Sequence, residues 1–194
     1  MSLPDSTETP RTLALRKIVE ETEAEQIFDW PKLGDGDYAL FARIIHIYSV
    51  FDFILHHVME IMDKQGMLAP LAGKTQRLTS ARVAEVIQLS PIWIGSNKFA
   101  LEEIESYRRV RNLLAHFVAR RFPDDNAYIF MTKSAIDYRR VYGKLPEGVD
   151  TMLYGVLDAQ QLRDVVPVLE GLLKWAAQLP RDLSRPLDGT GGRV

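Results

Sequence analysis

Apolar side chains recur every three to four residues along most of this chain, which is the spacing of an amphipathic helix. Proline is well tolerated at the first position of a helix, so the first predicted helix begins at Thr9-Pro10. Asp37 is the predicted N-cap of the second helix. The spacing predicts helices over about residues 10–28, 38–64, 80–89, 96–122 and 158–179.

The second predicted helix, residues 38–64, is apolar on almost every face. A helix with this pattern is usually buried among neighbouring helices or in an oligomer interface, and we expect part of it to form a homodimer interface. A membrane-spanning helix is not predicted, because polar side chains interrupt the apolar sequence. These side chains are Arg43, His46, Asp52, His56, His57 and Glu60.

The periodicity changes to a strand-like pattern at two places, Tyr128–Thr132 and Thr151–Val156. We predict that these segments pair as a β-hairpin with a long loop between them. Asp158 and Gln161 resemble a capping box at the start of the last helix, in which Pro167 is expected to cause a kink or a restart. The predicted fold class is mainly α: an up-and-down bundle of four or five helices with a β-hairpin before the last helix.

The predicted domain organisation follows from the same patterns. Residues 10–179 are expected to form a single helical domain, because a chain of 194 residues suits one large domain and contains no internal repeat. Residues 1–9 are polar, and residues 180–194 are rich in proline, glycine and arginine. Both ends are therefore predicted to be disordered.

Composition and charge argue against some classes of function for this chain. The net charge of −2, from 24 basic and 26 acidic residues, argues against a protein that covers nucleic acid with its whole surface, so a nucleic-acid site would have to come from local clustering. The absence of cysteine excludes disulfides, thiolate zinc sites and cysteine nucleophiles. The N-terminal sequence lacks an apolar secretion segment, and the predicted location is the cytoplasm.

Basic residues cluster in one segment, Ser106–Phe122, which forms the second half of the fourth predicted helix and contains five arginines and one histidine. On an ideal helix, Asn112 and His116 are i,i+4 neighbours on the face opposite the apolar residues. Arg111 is offset from His116 by about 140°, although its long side chain can reach the same cleft. The spacing alone also fits an ordinary solvent-exposed helix face.

Arg111, Asn112 and His116 suit the chemistry of phosphate esters. Arginine presents a planar, charged donor group to phosphate oxygens, and histidine transfers protons near neutral pH. Asparagine can orient a phosphate, a sugar hydroxyl or the imidazole. Cleavage of RNA without a metal needs an activated 2′-hydroxyl, a proton donor for the leaving oxygen and stabilisation of the charge on phosphorus. One chain supplies one histidine in this motif, whereas a two-fold dimer supplies two.

The segment Arg111-Asn112-Leu113-Leu114-Ala115-His116 resembles the signature of the HEPN superfamily (higher eukaryotes and prokaryotes nucleotide-binding domain). In that family an arginine, usually followed by a polar residue, precedes a histidine by a few positions on a late helix of a bundle. The resemblance extends over about residues 37–179. Many members are metal-independent endoribonucleases of toxin–antitoxin, phage-defence or RNA-processing systems and act as dimers with a shared cleft. Others are non-catalytic binding domains.

The resemblance implies that Arg111, Asn112 and His116 are the catalytic residues of a toxin- or defence-type ribonuclease that needs no metal or cofactor. It implies RNA as the substrate, a homodimer, and an antitoxin protein as a partner. The alternative is a non-catalytic RNA- or nucleotide-binding or protein-interaction module of the same fold. From charge and helical position we add predicted contacts to RNA phosphates by Arg108, Arg109, Arg120 and Arg121. The last two also fit the preference of cations for a helix C-terminus.

Two further groups of residues have both a functional and an ordinary interpretation. Asp52, His56 and Glu60 are spaced four apart, which would suit a metal site, but a metal-binding bundle needs Glu-x-x-His units on partner helices and the sequence has none. Core or surface hydrogen bonding is the preferred interpretation. Arg139 and Arg140, next to tyrosines, would suit binding of a single strand, although a solvated loop is preferred.

Overall fold

The computed structural model describes residues 9–67, 80–89, 96–145 and 152–184. Helices dominate these residues and accompany one small antiparallel sheet, which confirms the predicted mainly α class. The helices are α1 (Pro10–Glu21), α2 (Ala24–Ile27), α3 (Asp35–Lys64), α4 (Ser80–Leu89), α5 (Ser96–His116), α6 (Ala135–Tyr142), α7 (Ala159–Ala176) and α8 (Leu179–Ser184). The strands are β1 (Val118–Arg121), β2 (Ala127–Thr132) and β3 (Leu153–Asp158).

The predicted β-hairpin is part of a three-stranded sheet with strand order β1-β2-β3. β2 is the central strand and pairs antiparallel with both neighbours, Val118 lying opposite Met131 and Ala127 opposite Asp158. The predicted loop between β2 and β3 contains helix α6, which is capped by the Ser134 side chain.

The fourth predicted helix is wrong beyond residue 116, because α5 ends at His116 and the next residues form β1. The turn that follows Phe122 allows the chain to fold back, so that residues 118–121 pair with β2. The Phe122 N–H donates to the Ala127 carbonyl oxygen over 3.1 Å, and the Arg121 N–H donates to the Pro31 carbonyl oxygen over 2.9 Å. Hydrogen bonds across the turn to Ala127 and to the distant Pro31 therefore replace those of a continued helix.

The other helix boundaries also differ in detail from those predicted. The first predicted helix is divided, because Thr22 is extended and separates α1 from α2. Asp37 is not the N-cap of α3, which begins two residues earlier at Asp35. The Asp37 carboxylate instead accepts a hydrogen bond from the Gly34 N–H over 2.9 Å, which is the backward contact of a capping box.

The C-terminal part of the chain is helical further than predicted. Asp158 caps α7 as expected, since its carboxylate accepts hydrogen bonds from the N–H groups of Gln160 and Gln161. α7 passes through Pro167 without a restart. α8 covers Leu179–Ser184, so the start of the predicted disordered tail is ordered helix, while residues 1–8 and 185–194 lie outside the described part.

The described chain divides into two compact units, and the first contains the described residues of Met1–His46 and Ser106–Leu169. Side chains alternate along β2: Tyr128 and Phe130 pack against the Phe41 ring, with centroid distances of 5.2 and 5.7 Å. The opposite face of the sheet shares a core with α1 and α2. The residues of this core are Leu15, Val19, Ile27, Phe122, Ala127, Ile129, Met131 and Val156.

The second unit contains the described residues of Ile47–Glu105 and Glu170–Val194. The Tyr48 hydroxyl, in the buried part of α3, donates to the Ile104 carbonyl oxygen of α5 over 2.7 Å. The Gln65 side chain donates to the Leu183 carbonyl oxygen over 2.9 Å and so connects the end of α3 to α8.

Helix α3 is long and apolar enough, by length and composition, to cross a membrane. The core helices of water-soluble proteins meet the same criterion, and 39% of the apolar window in α3 is buried inside the protein. This property alone therefore assigns no location to the chain.

Candidate functional site

The last two turns of α5 carry the Arg/Asn/His motif in the first unit. Val110, Leu113 and Leu114 are buried and fix one face of the helix in the core. Arg111 and Asn112 are half-buried, and His116, the last residue of α5, is exposed. The apolar period of the sequence therefore places the polar motif at the boundary between core and solvent.

Arg111 keeps its charge available at this boundary. Its Nη1 donates to the Asn112 Oδ1 over 3.3 Å, and no carboxylate pairs with it among the residues that the structure describes. On ideal helix geometry Arg111 is about 7.5 Å along the axis and about 140° around it from His116. The Asn112 amide oxygen thus contacts Arg111, whereas the sequence suggested contacts with a phosphate or with His116.

The four arginines predicted to contact phosphate are in two different settings. Arg108 and Arg109 lie on α5, are half-buried, and each has an interaction within the protein. Arg120 and Arg121 lie on β1, not on the helix. Arg120 donates to two backbone carbonyl oxygens, those of Ala119 over 3.2 Å and Phe28 over 3.4 Å.

Arg121 is bound to the buried carboxylate of Asp37. The Tyr128 hydroxyl donates to the same carboxylate over 2.7 Å. The hydrogen bonds from Arg121, and next the one from Tyr128, hold the pKa of Asp37 well below its usual range although burial opposes this. Burial and the neighbouring Asp37 raise the pKa of Tyr128 to about 12. For Arg121 to contact a phosphate, its hydrogen bonds to the Asp37 carboxylate would have to break. We therefore leave Arg121 out of the candidate site.

Asp137 is a further charged residue near the end of α5, and it was not predicted as a site residue from the sequence. It lies in the first turn of α6, where its N–H donates to the Ser134 hydroxyl over 3.2 Å. The Ser134 hydrogen bond, and after it the charges of His116 and Arg140, lower the pKa of the Asp137 carboxyl, while slight burial opposes this. A detectable signal was the Ser-x-x-Asp spacing from Ser134, which is typical of a helix start.

The two other candidate groups have ordinary contacts in the structure. His57 Nδ1 lies 3.9 Å from a Glu60 carboxylate oxygen on α3, and no cluster of three potential metal ligands occurs within the described ranges. Tyr138 and Tyr142 stack on each other with a centroid distance of 4.6 Å. Tyr142 packs against Gly155 of β3, so this ring supports the fold and is not open to a nucleobase.

Searches of protein-family models, curated proteins and solved structures find no match to this chain. The candidate site therefore rests on its residues and their geometry.

Proposed function

We propose that this protein is a metal-independent endoribonuclease of the toxin or defence type, which acts in the cytoplasm through a cleft shared by two copies. The observation that carries the proposal is that the last two turns of α5 hold both an exposed His116 and Arg111, a half-buried arginine that no described carboxylate neutralises. Arg121 makes the contrast clear, because its charge is bound by Asp37. An arginine without a carboxylate partner is available to bind a phosphate anion.

The proposed reaction is an internal transesterification of RNA. The 2′-oxygen forms a bond to phosphorus and loses its proton to a general base, while the bond from phosphorus to the 5′-oxygen breaks and that oxygen receives a proton. The products are a 2′,3′-cyclic phosphate and a 5′-hydroxyl end. His116 acts as the base or the acid, and Arg111 stabilises the additional negative charge on phosphorus. Asn112 holds the guanidinium of Arg111 in place.

Two copies are part of the proposal because the reaction moves two protons and one motif contains one imidazole. A two-fold axis near the end of α5 would place two His116 and two Arg111 side chains around one phosphate. In such a dimer, the Arg111 and His116 that act together could come from different copies. They could then lie closer to each other than the two residues do on one helix.

The test is cleavage of a mixed-sequence RNA in the presence of EDTA. We expect His116→Ala to lower the rate by about 100-fold or more, and Arg111→Ala by a similar factor. The matched controls are His57→Ala, which removes an exposed histidine from α3, and Arg163→Ala, which removes an exposed arginine from α7. Both controls should retain the wild-type rate.

The outcomes separate the proposal from its alternative. Equal cleavage by wild type and His116→Ala would reject the assignment of the motif. RNA binding without cleavage, weakened by Arg111→Ala, would favour the non-catalytic binding module of the same fold.

A further inference from the structure

A short segment between β2 and β3 is strongly basic, although the whole chain is slightly acidic. Residues 133–144 carry four basic side chains and one acidic side chain, whereas the net charge of the protein is −2. The four residues, which we call the basic segment, are Lys133, Arg139, Arg140 and Lys144. A protein with little overall charge needs such local clustering in order to attract nucleic acid.

Helix α6 presents two arginines of the basic segment to solvent. Its inner face packs on the protein through the buried Val141 and through the stacked rings of Tyr138 and Tyr142. On an ideal helix Arg139 and Arg140 lie on the opposite face, and both are exposed. Because the tyrosines belong to the inner face, a contact between α6 and RNA would come from charge and not from stacking on nucleobases.

Most charges of the basic segment are not neutralised within the protein. Arg140 is the exception, because its Nη1 lies 3.0 Å from the Asp137 carboxylate. Lys133, Arg139 and Lys144 are exposed, and no carboxylate pairs with them in the part of the chain that the structure describes. Three cations are therefore available to phosphate groups.

The register of the β1–β2 hairpin brings the start of the basic segment to the end of α5. Val118 and Met131 are the last paired residues at that end of the ladder. His116 comes two residues before Val118, and Lys133 comes two residues after Met131. The Cα atoms of His116 and Lys133 are thus at most about 20 Å apart, and α6 extends for about 12 Å beyond the turn. A strand with one phosphate at His116 can therefore reach the basic segment within a few nucleotides.

We propose that the basic segment binds the phosphates of the RNA strand beside the point of cleavage, with Lys133 nearest to His116 and Arg139 and Lys144 further along. The inference rests on the proposed function for its role in cleavage, whereas binding of RNA by the segment is independent of activity. Arg140 contributes least, because a phosphate would have to displace Asp137. Contacts to phosphates carry no sequence information, so the segment holds the strand without selecting bases.

The first measurement is RNA binding by the His116→Ala variant, which should not cut the strand. A labelled single-stranded RNA of mixed sequence is titrated by fluorescence anisotropy at several salt concentrations. Adding Lys133→Ala and Arg139→Ala should weaken binding about 10- to 30-fold at about 0.1 M salt and reduce the slope of log affinity against log salt by about 1.4. The matched control adds Lys17→Ala and Arg163→Ala, which remove two exposed cations of the same unit, and it should change neither quantity.

The second measurement is RNA cleavage with His116 intact. The double alanine variant should raise KM for RNA by about 10-fold or more and leave kcat within about twofold, because these cations bind the strand equally before and during the reaction. Lys133→Arg combined with Arg139→Lys keeps both charges and should retain the wild-type KM, which separates a loss of charge from a change in folding.

The outcomes distinguish this inference from the proposed function. The inference is overturned if the double alanine variant binds RNA as tightly as its matched control, or if the protein does not bind RNA. Cleavage that depends on His116 but not on Lys133 and Arg139 would reject the inference and retain the proposed function. RNA binding that depends on the two cations, in a protein without ribonuclease activity, would retain the inference and reject the proposed function.

Discussion

Arg121 and Asp37 are joined by two parallel hydrogen bonds, of 2.7 Å from Nε to Oδ2 and 2.6 Å from Nη2 to Oδ1, although 84 residues separate them. Removal of one partner leaves the other charge without compensation at the boundary of the core. We expect Arg121→Ala to lower the free energy of unfolding by about 3 kcal/mol. Urea unfolding followed by circular dichroism measures the change. Arg120→Ala, whose partners are backbone oxygens, is the control and should change it by less than about 1 kcal/mol.

The pairing of Arg121 with Asp37 also makes the stability of the protein depend on pH under acidic conditions. The pKa of Asp37 is lowered in the folded state, so the unfolded chain takes up the proton first as the pH falls. The stabilisation is fully present above the unfolded pKa of about 3.9, and it is lost as the pH falls towards the folded value. We expect the stability difference between wild type and Asp37→Asn to be constant from about pH 5 to 7 and to shrink below about pH 4. A difference that grows in acid would contradict this prediction.

Gly155 is predicted to be intolerant of a side chain, because a Cβ at this position would overlap the Tyr142 hydroxyl and ring. Gly155→Ala should lower the free energy of unfolding by about 1–3 kcal/mol. Tyr142→Phe should be close to neutral, since the buried hydroxyl has no hydrogen-bond partner among the described residues. The double variant should lose less than Gly155→Ala alone, and thermal unfolding of all three tests this. If Gly155→Ala lowers the free energy of unfolding equally with tyrosine and with phenylalanine at position 142, contact with the Tyr142 hydroxyl is not the cause.

A mixture of two inactive variants tests whether the proposed site is shared between copies. If each site takes Arg111 from one copy and His116 from the other, a dimer of Arg111→Ala with His116→Ala has one intact site. Random exchange should then restore about a quarter of the wild-type rate of RNA cleavage. Either variant alone should remain inactive. A mixture that also remains inactive would show that one Arg111 and one His116 from different copies do not make a complete site. Light scattering of the purified protein shows whether the dimer forms.

Sequence periodicity was sufficient to locate α3, α4, α5 and α7, but it did not predict α6, α8 or β1. Residues 118–121 continue the spacing of α5, and neither glycine nor proline separates them from it, so local preference favours a longer helix. The pairing of Val118 with Met131 overrides that preference. The turn after Phe122, followed by a predicted strand, was a hairpin signal that the helical period concealed.

The candidate site was predictable only where its residues share one helix. Arg111, Asn112 and His116 lie within six residues of each other on α5, so helical spacing alone brings them together. The binding of Arg121 by Asp37 depends on contacts between α3 and the sheet. Charge alone gave Arg121 the same predicted role as its neighbours, because a carboxylate partner 84 residues away cannot be inferred from local sequence.

The unit that carries the motif is built from two separated pieces of chain, within Met1–His46 and Ser106–Leu169. During synthesis Asp37 leaves the ribosome long before Arg121 and Tyr128, so its carboxylate stays solvated until the later piece arrives. Joining the pieces closes a long loop over residues 47–105, and such distant contacts slow folding. While the chain is still being synthesised, the piece within Met1–His46 therefore remains exposed, because the residues that pack against it have not yet been made. The surface that we propose to cut RNA is completed late, after most of the protein has been made.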